Sequence, residues 1–218
     1  MTYGLKIYGQ HGVLQIDNSY EKLSLGVKSS IHLKGGNEGS SAWGETGAYN
    51  RFNADWSNDI SFFAYTSSTW IKRGNKGIWQ PLDQGSGNCV LYGFGTQKID
   101  WFPSSYEIVV RNQAGVNIFK SSWAICRIID VFNLSFTEYW SYNVPAGKTY
   151  AIAFGGGRDQ YNAVNDEMEG YSHYFRTTGS KIEISYLAGS WWFKDGDERT
   201  YTAKEFPLSI IIIDVTNY

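Results

Sequence analysis

The side chains in this chain that could do chemistry are few and scattered. They are His11, His32 and His173, the thiols Cys89 and Cys126, and the carboxylates of Asn165-Asp-Glu167 and Asp195-Gly-Asp-Glu198. A zinc-type site needs several His or Cys residues at close spacing, and no histidine here has such a neighbour. Neither acidic segment follows the Asp-x-Asp-x-Asp-Gly order of a calcium loop, so both read as solvated turns. Gly155-Gly-Gly-Arg-Asp159 lacks the downstream Lys-Ser/Thr and the strand-loop-helix setting of a phosphate cradle, and it reads as a turn. There is no Gly-x-Ser-x-Gly elbow, no His-Glu-x-x-His and no Cys-x-x-Cys. The expectation is a protein that is not an enzyme and carries no cofactor. A β-rich hydrolase is a remote alternative, because its two carboxylates need only a fixed separation and no sequence signature.

Recognition chemistry is better represented. The chain has 9 Trp, 16 Tyr and 12 Phe in 218 residues. Sugars stack on flat aromatic faces flanked by polar groups, and Trp43, Tyr49 and Trp56 beside Asn50, Asn53 and Asp55 have that composition. Tyr161 and Tyr171 lie in a second polar stretch, Gln160 to Tyr174. These five aromatics are the candidate contacts for a glycan or a protein partner. Trp43 sits in Gly35 to Gly47, a stretch with five glycines and no aliphatic anchor; it either plugs that loop onto the domain or is presented to a partner.

Strands must position these residues. Tyr3, Leu5 and Ile7 alternate with Gly4 and Lys6, the period of a strand with one buried face. The stretch Tyr3 to Tyr20 aligns without a gap on Tyr106 to Trp123 at a constant offset of 103, with Tyr, Gln, Gly, Val and Ser identical at five positions. Both copies read as a β-hairpin closed by a glycine, Gly12 or Gly115, where the loop needs a left-handed residue. Tyr150 to Phe154 echoes Ile60 to Tyr65 at an offset near 89, and Trp192-Phe193 echoes Trp101-Phe102. The expected fold is all-β: two tandem, duplicated antiparallel β-sandwich domains, residues 1–103 and 104–218. Lys72 to Gly77 reads as the basic tip of another hairpin. No window keeps the three-and-four apolar spacing of a long helix.

Composition narrows the partners. With 19 basic and 21 acidic residues and no basic run, nucleic acid is not expected. No apolar run approaches the length of a membrane span, and Met1 leads straight into a strand without a signal-like segment, so membrane insertion is not expected. Cys89 and Cys126 read as buried free thiols, with a bridge or metal as the alternatives. The last strand, Leu208 to Val215, has no polar face. Ile210 and Ile212 point one way and Ile211 and Ile213 the other, so the strand is either central or covered by another chain. Ile211 and Ile213 are therefore candidate interface residues of a homo-oligomer or larger assembly.

The opening Tyr3-Gly-Leu-Lys-Ile-Tyr, its Gly12 turn and the following Leu14-x-Ile-Asp-x-Ser-Tyr20 resemble the N-terminus of small tailed-bacteriophage virion proteins of the tail-tip and tail-fibre region. The resemblance implies a β-rich structural or host-contacting part, made in the host cytoplasm and located in the virion among other virion proteins. It covers strand and turn positions and transfers no functional residue. The second function class is a carbohydrate-binding, lectin-like module, with a host surface glycan or receptor as its ligand.

Overall fold

The computed structural model describes residues 6–8, 14–17, 23–34, 49–51, 59–73, 77–81, 85–96, 98–164, 167–193 and 205–218. Every element among them is a β-strand and every strand pairing is antiparallel. The first eight are β1 (Lys6–Tyr8), β2 (Leu14–Asp17), β3 (Ser24–Leu33), β4 (Tyr49–Arg51), β5 (Ile60–Ser67), β6 (Lys72–Arg73), β7 (Gly77–Trp79) and β8 (Gly87–Gly95). The second eight are β9 (Val109–Arg111), β10 (Asn117–Lys120), β11 (Ile128–Leu134), β12 (Tyr139–Asn143), β13 (Tyr150–Val164), β14 (Glu167–Thr178), β15 (Lys181–Phe193) and β16 (Glu205–Asp214).

The pairing of the first eight recurs in the second eight. In the hairpins, Lys6, Ile7 and Tyr8 face Asp17, Ile16 and Leu14, while Val109, Val110 and Arg111 face Lys120, Phe119 and Asn117. Adding 103 to each member of the first set gives the second, with the bulge at the same place. The offset runs on into the next strand. Leu25 faces Phe94 and Ile128 faces Ile213, and in each case the register slips immediately afterwards, at Val27 and at Asp130. β8 lies between β3 and β5 as β16 lies between β11 and β13, and Tyr65 opposite Leu91 corresponds to Phe154 opposite Ile210. β7 between β4 and β6 corresponds to β15 between β12 and β14. At Gly115, φ is +77°, the left-handed conformation that closes the second hairpin.

The two sets meet edge to edge. Tyr65 of β5 pairs with Ile152 of β13, which gives the strand order β3-β8-β5-β13-β16-β11. Ile71 and Phe175 exchange two backbone hydrogen bonds of 2.9 Å, linking β6 to β14 in the same way. One core lies where these sheets face each other. Leu33, Tyr65, Leu91, Ile152, Ile210 and Ile212 pack there with Ile71, Ile78, Phe175, Ile182 and Ile184, and the Tyr65 and Phe154 rings sit 6.2 and 5.5 Å from Phe175. A second core covers the opposite face, where Leu25, Phe94, Ala151, Ala153 and Ile213 meet Ala124, Val215, Trp101 and Tyr218. Both cores draw on residues from either side of position 103.

One expectation is resolved here and two change. The four-isoleucine strand is central, with Ile210 and Ile212 in the first core and Ile213 fully buried in the second. Ile211 packs partly buried beside it. This chain therefore covers both faces itself, and the strand's apolarity does not call for a second subunit. Gly155-Gly-Gly is not a turn but a bulge inside β13, opposite β16. Gly156 and Gly157 have φ of +74° and +102°, and a Cβ on Gly156 would stand 2.0 Å from the Pro207 carbonyl oxygen. These glycines let the strand continue, so the supposed polar connection is an arm in which 159–164 of β13 pair with 167–172 of β14. Finally, Trp192-Phe193 ends β15, where it pairs with Met168 and Glu167, whereas Trp101-Phe102 follows β8; the two are not equivalent.

Candidate functional site

A cavity of about 300 Å³ opens at the end of the sandwich where β5 stops. Four separate pieces of chain surround it. β5 contributes Thr66 and Ser67 and the bend after it Ser68, and β8 contributes Asn88 and Val90. The β12–β13 turn presents Lys148 and Thr149, with Gly147 at φ +80° closing the turn before them. The β14–β15 turn presents Thr178 and Lys181. Val90, Val144 and Ile182 supply apolar wall. The two layers are clipped together at the cavity: the Ser67 N–H donates to Thr177 Oγ1 at 3.0 Å, and that hydroxyl donates back to the Ser67 carbonyl at 3.2 Å.

Among the described residues the lining includes two lysines and no Asp or Glu; Ile182 points into the core, so the Lys181 side chain lies on the outer face of β15. Each lysine is held from behind by a carboxylate of low exposure. Lys148 Nζ donates to Asp214 Oδ2 at 3.0 Å, and Arg127 lies 3.5 Å from the other oxygen. Burial would raise the Asp214 pKa, but bonds from Thr216 and Lys148 outweigh it and hold the carboxyl below its ordinary range. Lys181 Nζ bonds Tyr139 Oη at 3.0 Å and Glu183 Oε1 at 3.2 Å. Glu183 also accepts from Arg176 Nε at 2.7 Å and from Tyr139 Oη at 2.7 Å. The Arg176 bond is the largest cause of its depressed pKa, about 2. Lys181 is raised, first by Tyr139 and then by Glu183, and Lys148 is raised by Asp214. Each cluster thus sets two cations against one carboxylate, and the Glu183 cluster lies on the outer face of β15, opposite the core-facing Ile182 and Ile184.

The sequence candidates are elsewhere. Trp43 and Trp56 lie outside the described residues. Tyr49 pairs through its backbone with Trp79, and Tyr161 with Gly170 in the arm; their side chains lie outside the description. Tyr171 is half-buried and stacks on Tyr186, centroids 5.8 Å apart, next to His173. His173 is a core residue whose Nε2 donates to the Thr137 carbonyl at 2.9 Å. His32 is exposed and its Nδ1 bonds Asn88 Oδ1 at 3.1 Å. Cys89 and Cys126 are free thiols, and burial raises both pKa values, that of Cys126 to about 12. Sequence reasoning passed over the cavity because its residues are ordinary turn hydroxyls and lysines from distant segments. The one usable signal was the pair of short turns, Val144 to Lys148 and Thr177 to Lys181, each carrying a lysine.

Compared with known proteins, the chain matches no family model, no curated protein and no solved structure.

Proposed function

We propose that this chain is a non-catalytic structural part of a bacteriophage tail, at the tip or in a fibre, working among other copies and other virion proteins and contacting the host surface. In this reading it is a tandem duplication, residues 1–103 and 104–218, of an eight-stranded unit. The matched registers of the two sets of strands support the duplication, and the opening hairpin's resemblance supports the tail.

The observation that carries the assembly role is the second copy of that hairpin. Tyr106, Ile108 and Val116 are 91, 66 and 49 % exposed there. Burying such side chains is worth roughly 1 to 3 kcal/mol each, which a contact within a particle would recover. The reading places the protein in the virion after synthesis in the host cytoplasm.

Electron microscopy of purified particles carrying a tagged copy tests it. Label at the tail end is expected, and Tyr106→Asp with Ile108→Asp should remove the chain from particles while leaving its melting temperature within a few degrees. Recovery of the tagged chain only in the soluble fraction, with unlabelled particles, would overturn the reading. The lectin-like alternative is favoured by one different observation, the cavity whose lining mixes hydroxyls with apolar side chains.

A further inference from the structure

We propose that β11 is where two copies of this chain join, edge to edge and antiparallel, about a two-fold axis at Phe132. The proposal rests on the reading that copies of the chain work together, and it names their contact. Among the described residues β11 pairs along its length on one side only, with β16. The Asp214 N–H donates to the Arg127 carbonyl at 2.9 Å, so in β16 it is Asp214, Ile212 and Ile210 that turn their main-chain groups toward β11. Asp130 and Phe132, which face Ile212 and Ile210, turn theirs back toward β16. Val131 and Asn133 therefore turn theirs outward, along an edge where Ile128, Ile129 and Val131 also leave aliphatic side chains exposed.

The chain itself shows what such an edge accepts, because its two sets of strands join like to like. β5 and β13 are counterparts, and they pair antiparallel through Tyr65 and Ile152. Leu23 is the counterpart of Cys126 at the offset of 103, and the segments that carry them pair too. The Leu25 N–H donates to the Ala124 carbonyl at 2.7 Å, and the Cys126 N–H to the Leu23 carbonyl at 2.9 Å. Both joins have the antiparallel, self-matching form of a two-fold contact. The counterpart outer edges are β3 and β11. β3 presents Lys28, Ser30 and His32 to solvent, with Lys34 just beyond, and lysines on an edge turn another strand away. That argues against β3 of a second copy as the occupant, a head-to-tail contact that would not close, and leaves a second β11.

Charge fixes the register. Asp130 is the single charged residue of β11. An axis at Asp130 would set two carboxylates face to face, which is unfavourable. An axis at Phe132 sets Asp130 opposite Leu134 of the other copy, and it lets Val131 and Asn133 exchange main-chain hydrogen bonds with Asn133 and Val131 across the join. One group competes with that exchange. Asp130 Oδ1 accepts from the Val131 N–H at 2.8 Å, and Oδ2 from the Tyr142 hydroxyl at 3.2 Å. The carboxylate holds the place of the carbonyl that a second copy brings, so it weakens the join without blocking it.

Sedimentation equilibrium of the whole chain, with amide exchange followed by NMR over a concentration series, tests the proposal. A reversible dimer is expected with a dissociation constant below about 100 µM. The Val131 and Asn133 amides should exchange more slowly as it forms, while those of β3 do not change. Val131→Pro removes an outward donor and no bond to β16, so it should weaken the dimer roughly tenfold with the circular dichroism spectrum unchanged. Asp130→Ala removes the competitor and should tighten the dimer roughly threefold. A chain still monomeric at about 100 µM, a dimer untouched by Val131→Pro, or a dimer weakened by Asp130→Ala would each overturn the proposal. Slowed β3 amides with growth beyond a dimer would overturn it too, in favour of a β3–β11 contact. If Val131→Pro misfolds, amide exchange in the unaltered chain still decides. A dimer lost in Tyr106→Asp with Ile108→Asp but kept in Val131→Pro would leave copies working together and remove β11 as their contact.

Discussion

From Phe62 in one and Ala151 in the other the two sets of strands run in the same register, and they part within the three residues after Tyr65 and after Phe154. In the first set the next residues are Thr66, Ser67 and Ser68; β5 ends, and its small polar residues leave the cavity open. In the second they are Gly155, Gly156 and Gly157, whose bulge carries β13 on for seven more residues to Val164, into the arm. Three consecutive residues therefore decide whether an identical ladder stops or extends. A hydroxyl-rich stop makes a recess between layers, and a glycine bulge makes a projection.

The largest effect should come from closing off the bulge. In Gly156→Val the left-handed φ is strained, and the new Cβ meets the Pro207 carbonyl at 2.0 Å. A loss of about 3 kcal/mol or more is expected in chemical denaturation, with the arm's amides losing protection from hydrogen exchange first. Ser68→Ala, at the corresponding end of β5, should stay within about 0.5 kcal/mol. Equal costs would mean that the bulge holds nothing in place.

The next comparison concerns the cores. Phe94 and Ile213 occupy corresponding positions beside the same register slip, and both are fully buried. Phe94→Ala and Ile213→Ala should cost about 3–5 and 2–5 kcal/mol. Because both cores draw on both sides of position 103, each variant should unfold in one transition. Two resolved transitions, with each variant shifting only one, would show that the units fold separately.

Charge separates the sets more weakly. The Glu183 network has Arg176, Lys181 and Tyr139 around one carboxylate of low exposure, and Arg176 also lies over the Trp70 ring at 4.5 Å. Because the folded pKa of Glu183 is depressed to about 2, its contribution is complete above the ordinary glutamate range and is lost as pH falls from about 4.5 toward 2. Glu183→Gln should cost about 1–3 kcal/mol at pH 7 and nearly nothing at pH 2, measured by thermal melts across that interval. A pH-independent cost would assign the effect to packing.

How much of this was written in the sequence depends on the kind of feature. The hairpins were legible because alternation and a closing glycine are local, and the offset of 103 matched their strands; the bulge that both share was not legible. The offset near 89 matched β13 to β5 for the same reason, and Tyr65 and Phe154 do take corresponding places, opposite Leu91 and Ile210. Gly155 to Gly157 misled because glycine marks a turn and a bulge alike, and only the partner strand distinguishes them. The cover over Ile213 comes from Ala124 and Val215, residues whose types announce nothing. Similarly, the Tyr65–Ile152 join is backbone pairing between strand edges, which leaves no side-chain signature, and the cavity is assembled from four distant pieces.

The smallest effect on stability, and the sharpest reading of the difference between the sets, should come from the outer strands. Among the described residues β3 pairs along its length only with β8, and β11 only with β16. At the offset of 103, Lys28 in β3 corresponds to Val131 in β11. Lys28 is exposed and its ammonium reaches the Tyr218 carbonyl, whereas Val131 and Ile129 are 53 and 45 % exposed. A lysine on an edge strand discourages another strand from adding there; a bare valine and isoleucine do not. Val131→Lys gives β11 the guard that β3 has. It should change the unfolding free energy by no more than about 0.5 kcal/mol, since neither side chain is buried. Light scattering over a concentration series should nevertheless show less self-association than in the unaltered chain. The reverse change, Lys28→Val, loses the bond to Tyr218 and exposes a second apolar edge, so it should raise association and lower stability together. If Val131→Lys leaves association unchanged, contacts between copies run through another surface, and the exposed Tyr106 and Ile108 become the place to mutate next.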